Sequence, residues 1–480
     1  MHNALLLPEI VAAIVKSESG EPGYLHTCLL INRQFYQESC RILWYGCGSS
    51  YNSATAGHVT PGIRQLAEIS QRSRQRARLY ADFVNILFFA EPEETWPYGD
   101  EAAWHGDLTC LQYPQLQEVA FYPSDKAASL NKGDAIIYYA QPSLHTFRLC
   151  EGTALSDAFL DDLRTRCPQL QHLDLTSSAN TMTQDGLLRF LGTFNSLQSL
   201  KLDTGFRDLW SHEAFRSVGR YTNLEMLYIS IIEDGWLQGD EALFPALKHL
   251  STRMSTRGLS LLSSHVPNLT SIHATILSPC TSIEAFVDYP RLRDLVVEFE
   301  DGGSFSGKDL LLIAENCPGL QLFEVRDEGA RPQIEGLDDS MMEKIASALP
   351  NIRELKLNKI DTGEKPLTMQ SIKSLGSHCP NLKELVLSSI SIDWDEGDGT
   401  ISDSIWSLDL DLCSDHTLLW PEDYDEDEDD GAHVTKEQIA EMAERFGRRF
   451  PNMEYFNVSG GGEGEEQLND RLGDFIGERG

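Results

Sequence analysis

Apolar residues recur along most of the chain in one frame, Pro-x-apolar-x-x-apolar-x-apolar. One copy begins at Pro168 and ends in the apolar pair Leu173 and Leu175. The same frame has its first apolar position at Leu116, Leu144, Leu170, Leu197, Leu224, Leu247, Leu269, Leu292, Leu320, Ile352, Leu382 and Met453. A weaker copy without the proline begins at Ile405. Copies start 22 to 32 residues apart, except for a gap of 48 before the last, so the chain is built of repeats.

Each copy predicts a short strand preceded by a helix. The closing apolar-x-apolar pair has the period of two that is typical of a strand with one buried face. Ahead of Pro168, apolar residues at Phe159, Leu160 and Leu163 have helical spacing instead. A unit of about 28 residues cannot bury both elements alone, so neighbouring units must stack. The predicted fold class is α/β, with a parallel sheet on one side and helices on the other.

These repeats resemble the leucine-rich repeats, in particular the subclass with Cys-Pro before the strand. Cys167-Pro168, Cys317-Pro318 and Cys379-Pro380 match that subclass. The resemblance covers residues 113–459, and the segment 83–89 ahead of that range is a candidate for a divergent first unit. It implies a solenoid with a curved parallel sheet on the concave face and helices on the convex face. We expect the three cysteines to be small buried hydrophobic side chains.

The first 48 residues do not fit the repeat and predict three short helices. Leu7-Pro8-Glu9 reads as a helix start, because proline is tolerated at the first helical position. Two helical stripes follow, and the third segment closes at Trp44. Three short helices make a thin core, so part of their apolar surface should contact a partner.

The block has a leucine-proline-acid start, a later leucine-cysteine-leucine-like stretch and a closing tryptophan. In these features it resembles an F-box. Together with the repeats, it is similar to the F-box/leucine-rich-repeat architecture frequent in fungi. The resemblance implies that the block binds a Skp-type adaptor, and through it a cullin. The implied adaptor-binding residues are Leu7, Pro8, Ile10, Val11, Ile14, Leu29, Phe35 and Trp44. The alternative is a three-helix cap that closes the open end of the repeats.

We therefore expect four segments. Residues 1–48 form the F-box, and 49–112 form a linker with a divergent first repeat. Residues 113–459 form the solenoid, with an acidic insert at 421–434, and 460–480 form a C-terminal tail. In the linker, arginines at 64, 72, 74, 76 and 78 face only Glu68, and we interpret them as a solvated helix face.

Charge excludes one class of function. The chain has 39 Lys and Arg against 74 Asp and Glu, a net charge of −35, which argues against binding nucleic acid by phosphate neutralisation. No secretory signal or long apolar run is present, so we expect a cytoplasmic or nuclear protein that binds no membrane. The ten cysteines show no zinc-type spacing, which predicts neither disulfides nor a structural metal.

The strongest acidic run, Glu422–Asp430, lies in the long gap between repeats. Runs of this kind are usually disordered. The alternative is calcium binding, because Glu426, Glu428, Asp430, Gly431 and Glu437 occupy positions of an EF-hand frame. The long Glu side chains and His433 in the place of an apolar residue disfavour it.

No hydrolase, Walker, dinucleotide or zincin motif is present, so we expect a non-enzymatic protein without a cofactor. Residues that alternate with the buried apolar pairs should instead form the binding face. The predicted substrate-binding residues are His172, Asp174, Lys201, Tyr228, His249, Arg253, His273, Glu354 and Glu384. The later strands are acidic, which favours a basic protein ligand.

The sequence thus predicts a substrate-recognition subunit of a cullin-based ubiquitin ligase, with catalysis in other subunits. Two alternatives stay open. One is a leucine-rich-repeat scaffold or small-GTPase regulator without a ubiquitin role, and the other is a calcium-controlled binder.

Overall fold

The computed structural model describes residues 7–48 except 18, 20 and 22, 61–90, 106–122, 136–150, 155–177, 181–194, 196–239, 242–277, 280–327, 332–362, 366–391, 400–412, 444–459, 469 and 473. The acidic insert 421–434, the calcium frame and all of the tail except two residues lie outside these ranges. The chain divides into two compact units. The first comprises residues 1–230 and 243–246, and the second comprises residues 231–242 and 247–480.

The first unit begins with three helices, Pro8–Ser17, Tyr24–Leu29 and Arg33–Leu43. Seven strands follow: β1 (Gly46–Gly48), β2 (Ile86–Ala90), β3 (Glu118–Tyr122), β4 (Thr146–Cys150), β5 (His172–Thr176), β6 (Ser199–Leu202) and β7 (Met226–Ile229). They pair in chain order and all in parallel. The connecting helices are Ile63–Arg72, Arg74–Ala81, Asp157–Arg166, Gln184–Leu191 and His212–Gly219.

The second unit continues the same repeat. Its strands are β8 (His249–Met254), β9 (Ser271–Ile276), β10 (Asp294–Phe299), β11 (Ser304–Ser306), β12 (Leu322–Asp327), β13 (Gln333–Glu335), β14 (Glu354–Leu357), β15 (Leu367–Thr368), β16 (Glu384–Ser391), β17 (Ser407–Leu412) and β18 (Tyr455–Ser459). The order β8-β9-β10-β12-β14-β16-β17-β18 is parallel throughout. Its helices are Thr256–Leu262, Gly307–Asn316, Asp339–Ala348 and Met369–His378, and residues 444–449 are also helical.

The predicted fold class, an α/β leucine-rich-repeat solenoid, is confirmed in both units. Every copy of the frame ends in one of these strands, and its first strand apolar residue is buried in each; in most copies the second is buried too, as for Leu173 and Leu175. Phe147 of β4 contacts Phe159 of the next helix with ring centroids 6.1 Å apart, so the buried face of the strands is the face toward the helices. We call the opposite face of each sheet, which carries the alternating residues, the open face.

The Cys-Pro turns pack as expected. Cys167, Cys317 and Cys379 are buried, and the Cys317 thiol points to the carbonyl oxygen of Tyr289 in the preceding repeat at 3.3 Å. Burial raises the pKa of Cys167 and Cys379 to about 12 and that of Cys317 to about 11. Because the thiolate is the nucleophile, these cysteines are packing residues rather than reactive ones.

The strands that the sequence did not indicate are short. Gly46–Gly48 was assigned to the end of the F-box block, yet it forms β1 and pairs with β2. The two- and three-residue strands β11, β13 and β15 lie just before helices or turns and have no apolar pair of their own. Their backbones pair because stacked repeats bring identical positions side by side.

Candidate functional site

The N-terminal block, defined here as residues 7–44, has a small closed core. Val11, Val15, Leu25, Cys28 and Phe35 are buried in it. Asn32 is the N-cap of the third helix, Arg33–Leu43. Its side chain accepts hydrogen bonds from the backbone N–H groups of residues 34 and 35. Such an N-cap fixes the chain direction between the second and third helices. The block thus has a small hydrophobic core of its own within the first unit.

Large apolar side chains remain on the outside of this block. Leu7 is 51% exposed, Ile10 37%, Leu30 88% and Ile31 52%. Leu30 and Ile31 sit in the turn after the second helix, which ends at Leu29. Isolated apolar residues on a surface are ordinary, but four on one small block leave more apolar area exposed than is usual, and a partner could cover it.

The predicted adaptor-binding residues divide into two groups. Leu7, Pro8 and Ile10 are exposed, and Ile14 and Leu29 are half-buried. Val11, Phe35 and Trp44 are buried, so the prediction that their side chains contact a partner is corrected: they support the surface from below. Leu30 and Ile31 were missed. The sequence feature that pointed to them is the run Leu29-Leu30-Ile31. Three consecutive apolar residues are more than one buried helix face needs.

Trp44 is turned inward because it has a partner far along the chain. Its ring stacks on Tyr80, with centroids 4.7 Å apart and an interplanar angle of 9°. Tyr80 also forms a side-chain hydrogen bond with Tyr36, and this bond, burial and Cys40 together raise the pKa of Tyr36. These contacts join the N-terminal block to the helix Arg74–Ala81.

On the open face of the first unit, three of the predicted residues, Asp174, Lys201 and Tyr228, lie in one row. Arg148, Asp174, Lys201 and Tyr228 are register partners on β4 to β7. Lys201 Nζ is 3.6 Å from Asp174 Oδ2, and Arg148 Nη2 is 3.5 Å from Glu118 Oε1. The charges alternate along the row, so this face offers mixed polar contacts and one aromatic ring.

Burial changes two ionisation equilibria in that region. It raises the pKa of Asp174, although Lys201 and Arg148 oppose the change. Burial also lowers the pKa of His172, and the positive charge of Arg148 adds to the effect. His172 lies one row from Asp174 on β5 and is half-buried.

On the open face of the second unit, a carboxylate on β10 is surrounded by donors from both neighbouring strands. Glu298 accepts hydrogen bonds from Thr275 Oγ1 at 3.1 Å and from Arg326, and His273 Nε2 lies 3.1 Å from its Oε2. Arg326 also approaches Glu324 at 3.6 Å. The hydrogen bond from His273 is the largest of the effects that lower the pKa of Glu298 to about 2, and they outweigh burial.

A second cluster lies further along the same sheet. Lys356 Nζ is 2.7 Å from both Glu354 Oε2 and Glu384 Oε2. The two carboxylates raise the pKa of Lys356 in spite of its burial. Glu354 and Glu384 are register partners on β14 and β16, so one lysine serves two adjacent repeats.

Negative charge exceeds positive charge on this open face. Burial raises the pKa of Asp294 and of Asp409, which shows that these carboxylates lack full compensation by cations. His249 is in the same row as Asp294, with Ser271 between them. Arg253 lies 3.4 Å from Glu300 and is half-buried. The cationic side chains are thus already engaged, and the surplus is acidic.

The described residues contain no group of three or more His, Cys, Asp or Glu that could hold a metal ion. Among the helices in the described ranges, none is long and apolar enough to cross a membrane.

No protein-family model and no curated protein sequence matches the chain. Solved structures are similar to it at low identity. The yeast Rad7–Elc1 complex matches with 14% identity and a TM-score of 0.41, covering 95% of this chain and 93% of the other. The TLR13–ssRNA13 complex matches with 13% identity and a TM-score of 0.38, covering 69% and 54%.

The third is the leucine-rich-repeat ectodomain of the Arabidopsis thaliana receptor kinase GASSHO1/SCHENGEN3 in complex with CASPARIAN STRIP INTEGRITY FACTOR 2. It matches with 13% identity and a TM-score of 0.33, covering 80% of this chain and 48% of the other.

Proposed function

We propose that this chain is a substrate-recognition subunit of a cullin-based ubiquitin ligase. The N-terminal block would bind a Skp-type adaptor and, through it, the cullin, while the open faces of the repeats bind the protein to be modified. Transfer of ubiquitin would be catalysed by other subunits. The proposal implies a cytoplasmic or nuclear location.

The observation that carries the proposal is the apolar exterior of the N-terminal block. Its core is already closed by Val11, Val15 and Phe35, so Leu7 and Ile10 are not needed to complete it. Exposed apolar side chains on a folded block gain free energy when a partner covers them, at roughly 25 cal/mol for each Å² of apolar surface removed from water. A cap that only closed the end of the repeats would turn these side chains inward instead.

The open faces support the second half of the proposal. They carry half-buried polar and charged residues in register rows across many strands, which suits an extended protein segment better than a small molecule. The acidic surplus of the second unit favours a segment that carries lysine or arginine.

The proposal is tested by measuring the affinity of a purified Skp-type adaptor for the full chain and for a variant with Leu7→Ala and Pro8→Ala. If these residues are central anchors, the double variant should bind more weakly by at least about 1 to 2 kcal/mol. A second variant with Leu30→Ala and Ile31→Ala tests the exposed turn that follows the second helix.

The matched control is Tyr138→Ala, which removes a ring that is equally exposed but lies outside the block. It should leave the affinity unchanged. Circular dichroism of each variant checks that the helices remain. Absence of adaptor binding by the unaltered chain would refute the proposal, and equal affinities for all variants would remove the block as the binding site.

A further inference from the structure

The helix Arg74–Ala81 carries three exposed arginines. Arg74, Arg76 and Arg78 are exposed, and none of them forms an ion pair with another described residue. On the preceding helix, by contrast, Arg64 is paired with Glu68 at 3.0 Å. In a chain with 74 acidic and 39 basic residues, a cluster of uncompensated arginines is a local reversal of charge.

This helix is held against the N-terminal block. Tyr80 stacks on Trp44 and forms a side-chain hydrogen bond with Tyr36. Tyr36 belongs to the third helix of the block, and Trp44 is the residue that follows that helix. The backbone carbonyl of Tyr45 accepts hydrogen bonds from the N–H groups of Asn85 and Ile86, just after the helix. The arginine helix therefore has a fixed position relative to the N-terminal block.

Apolar side chains that adjoin the Trp44–Tyr80 stack in sequence are exposed. Leu79 is 56% exposed and Tyr45 50%, although each is next to a residue of the Trp44–Tyr80 stack. Tyr36, which reaches Tyr80, is also partly exposed. An apolar centre with a charged rim is the usual anatomy of a protein–protein interface, and arginine and tyrosine are enriched in such interfaces.

We propose that the N-terminal block and the helix Arg74–Ala81 form one composite docking surface for the Skp-type adaptor, whose matching face places carboxylates opposite the exposed arginines of that helix, with Arg74 and Arg78 on one side of it and Arg76 on the other. This inference rests on the proposed function and extends the adaptor site beyond the first 48 residues. The apolar side chains would supply most of the contact, and the arginines would orient the adaptor and speed its association.

An acidic protein surface fits the composite surface better than a nucleic acid or an anionic membrane. The net charge of −35 repels any extended polyanion, because phosphates beyond the short arginine helix would face carboxylates. A carboxylate-bearing protein face can match three arginines without such an extension. Exposed Leu79 and Tyr45 would gain from apolar protein contact as well.

The test compares two variants of the full chain with the same change of charge. The first replaces Arg74, Arg76 and Arg78 with Gln. The control replaces Arg166, Arg207 and Arg257 with Gln; these are exposed arginines away from the block. Association and dissociation rates of a purified Skp-type adaptor are measured at low and high salt, with thermal unfolding to confirm folding. A Leu79→Ser variant measures the apolar part separately.

We expect the Arg74/Arg76/Arg78 variant to bind the adaptor about tenfold more weakly at low salt, mainly through slower association, and to lose most of the salt dependence. The control should change affinity less than twofold by the same reasoning. If the unaltered chain binds the adaptor and both variants behave alike, the composite surface is refuted while the proposed function stands. If the unaltered chain does not bind the adaptor, the composite surface and the proposed function are both refuted.

The same variants are mixed with a single-stranded oligonucleotide and with vesicles of anionic phospholipid. Neither should bind the unaltered chain. Binding of either probe that disappears with the three arginines, without an effect on the adaptor, would assign the arginine helix to that polyanion and overturn the inference.

Discussion

The carboxylate of Asp157 accepts two hydrogen bonds from Thr183, one from its backbone N–H at 2.9 Å and one from its hydroxyl at 2.7 Å. Asp157 begins one helix and Thr183 is the N-cap of the helix in the next repeat. Asp339 and Thr368 have the same relationship in the second unit, at the same two distances. The start of one helix therefore anchors the start of its neighbour.

This relationship predicts an acid-sensitive contribution to stability. Burial opposes ionisation of Asp157, but the hydrogen bonds from Thr183 and the charge of Arg189 outweigh it and lower the pKa. Because the pKa is lower in the folded state, ionised Asp157 stabilises the fold above the ordinary carboxyl pKa of about 4, and this contribution is lost as pH falls below it. Asp157→Asn should cost about 1 to 2 kcal/mol at pH 7 and less at pH 3. Urea unfolding at both pH values measures it, and an equal loss at both would contradict it.

Gly186 is required by the same carboxylate. A Cβ built at Gly186 would collide with the side chain of Asp157. Gly186→Ala should therefore destabilise the first unit by roughly 1 to 3 kcal/mol, whereas Gly235→Ala, where a Cβ meets nothing, should be nearly neutral. The double variant with Asp157→Ala should lose less than the sum of the two single changes, because the clash disappears. Additive losses in thermal or urea unfolding would show that the two residues act independently.

The buried leucines of the strands should dominate stability. Leu173, Leu200 and Leu385 face the helices and are buried, so each Leu→Ala change should cost roughly 2 to 5 kcal/mol. Leu30→Ala is the matched control, because its side chain is almost fully exposed; its effect should stay within about 0.5 kcal/mol. Thermally silent variants at the three strand positions would mean that the register is displaced by one residue.

Glu298 should titrate unusually low and depend on His273. The hydrogen bond from His273, together with Arg326 and Thr275, holds the pKa of Glu298 at about 2. Ionised Glu298 thus stabilises the fold above the ordinary carboxyl pKa of about 4, and the stabilisation disappears as pH falls toward 2. His273→Gln should raise the pKa of Glu298, which NMR of the side-chain carboxyl carbon can follow. An unchanged titration would assign the shift to Arg326 instead.

The open face predicts which variants alter substrate binding. A protein captured by the full chain should bind less well to Tyr228→Ala, and less well to Glu354→Gln with Glu384→Gln if it is basic. The double Gln change also frees Lys356, whose pKa should fall toward its ordinary value. Since the pKa of Lys356 is raised in the folded protein, its ion pairs stabilise the fold below the ordinary lysine pKa and lose effect as pH rises through the folded value. If both variants bind the captured protein as well as the unaltered chain does at low salt, the open face is not the substrate-binding surface.

The local pattern alone was sufficient to predict the repeated strands and helices. A strand whose apolar residues alternate with polar ones can face the helices in only one way, so Leu173, Leu200 and Leu385 were assigned correctly. The helix starting at Pro8 and the arginine helix could be predicted for the same reason, because both depend on residues within one or two turns.

The contacts of the candidate site depended on residues that are distant in the chain. Trp44 closes the N-terminal block in sequence, but Tyr80 turns it inward and removes it from the surface. Glu298 receives its donors from β9 and β12, and that meeting follows from the register between repeats. Sequence spacing determines which face of an element is buried, whereas the partner of a side chain on that face is decided only when the elements pack.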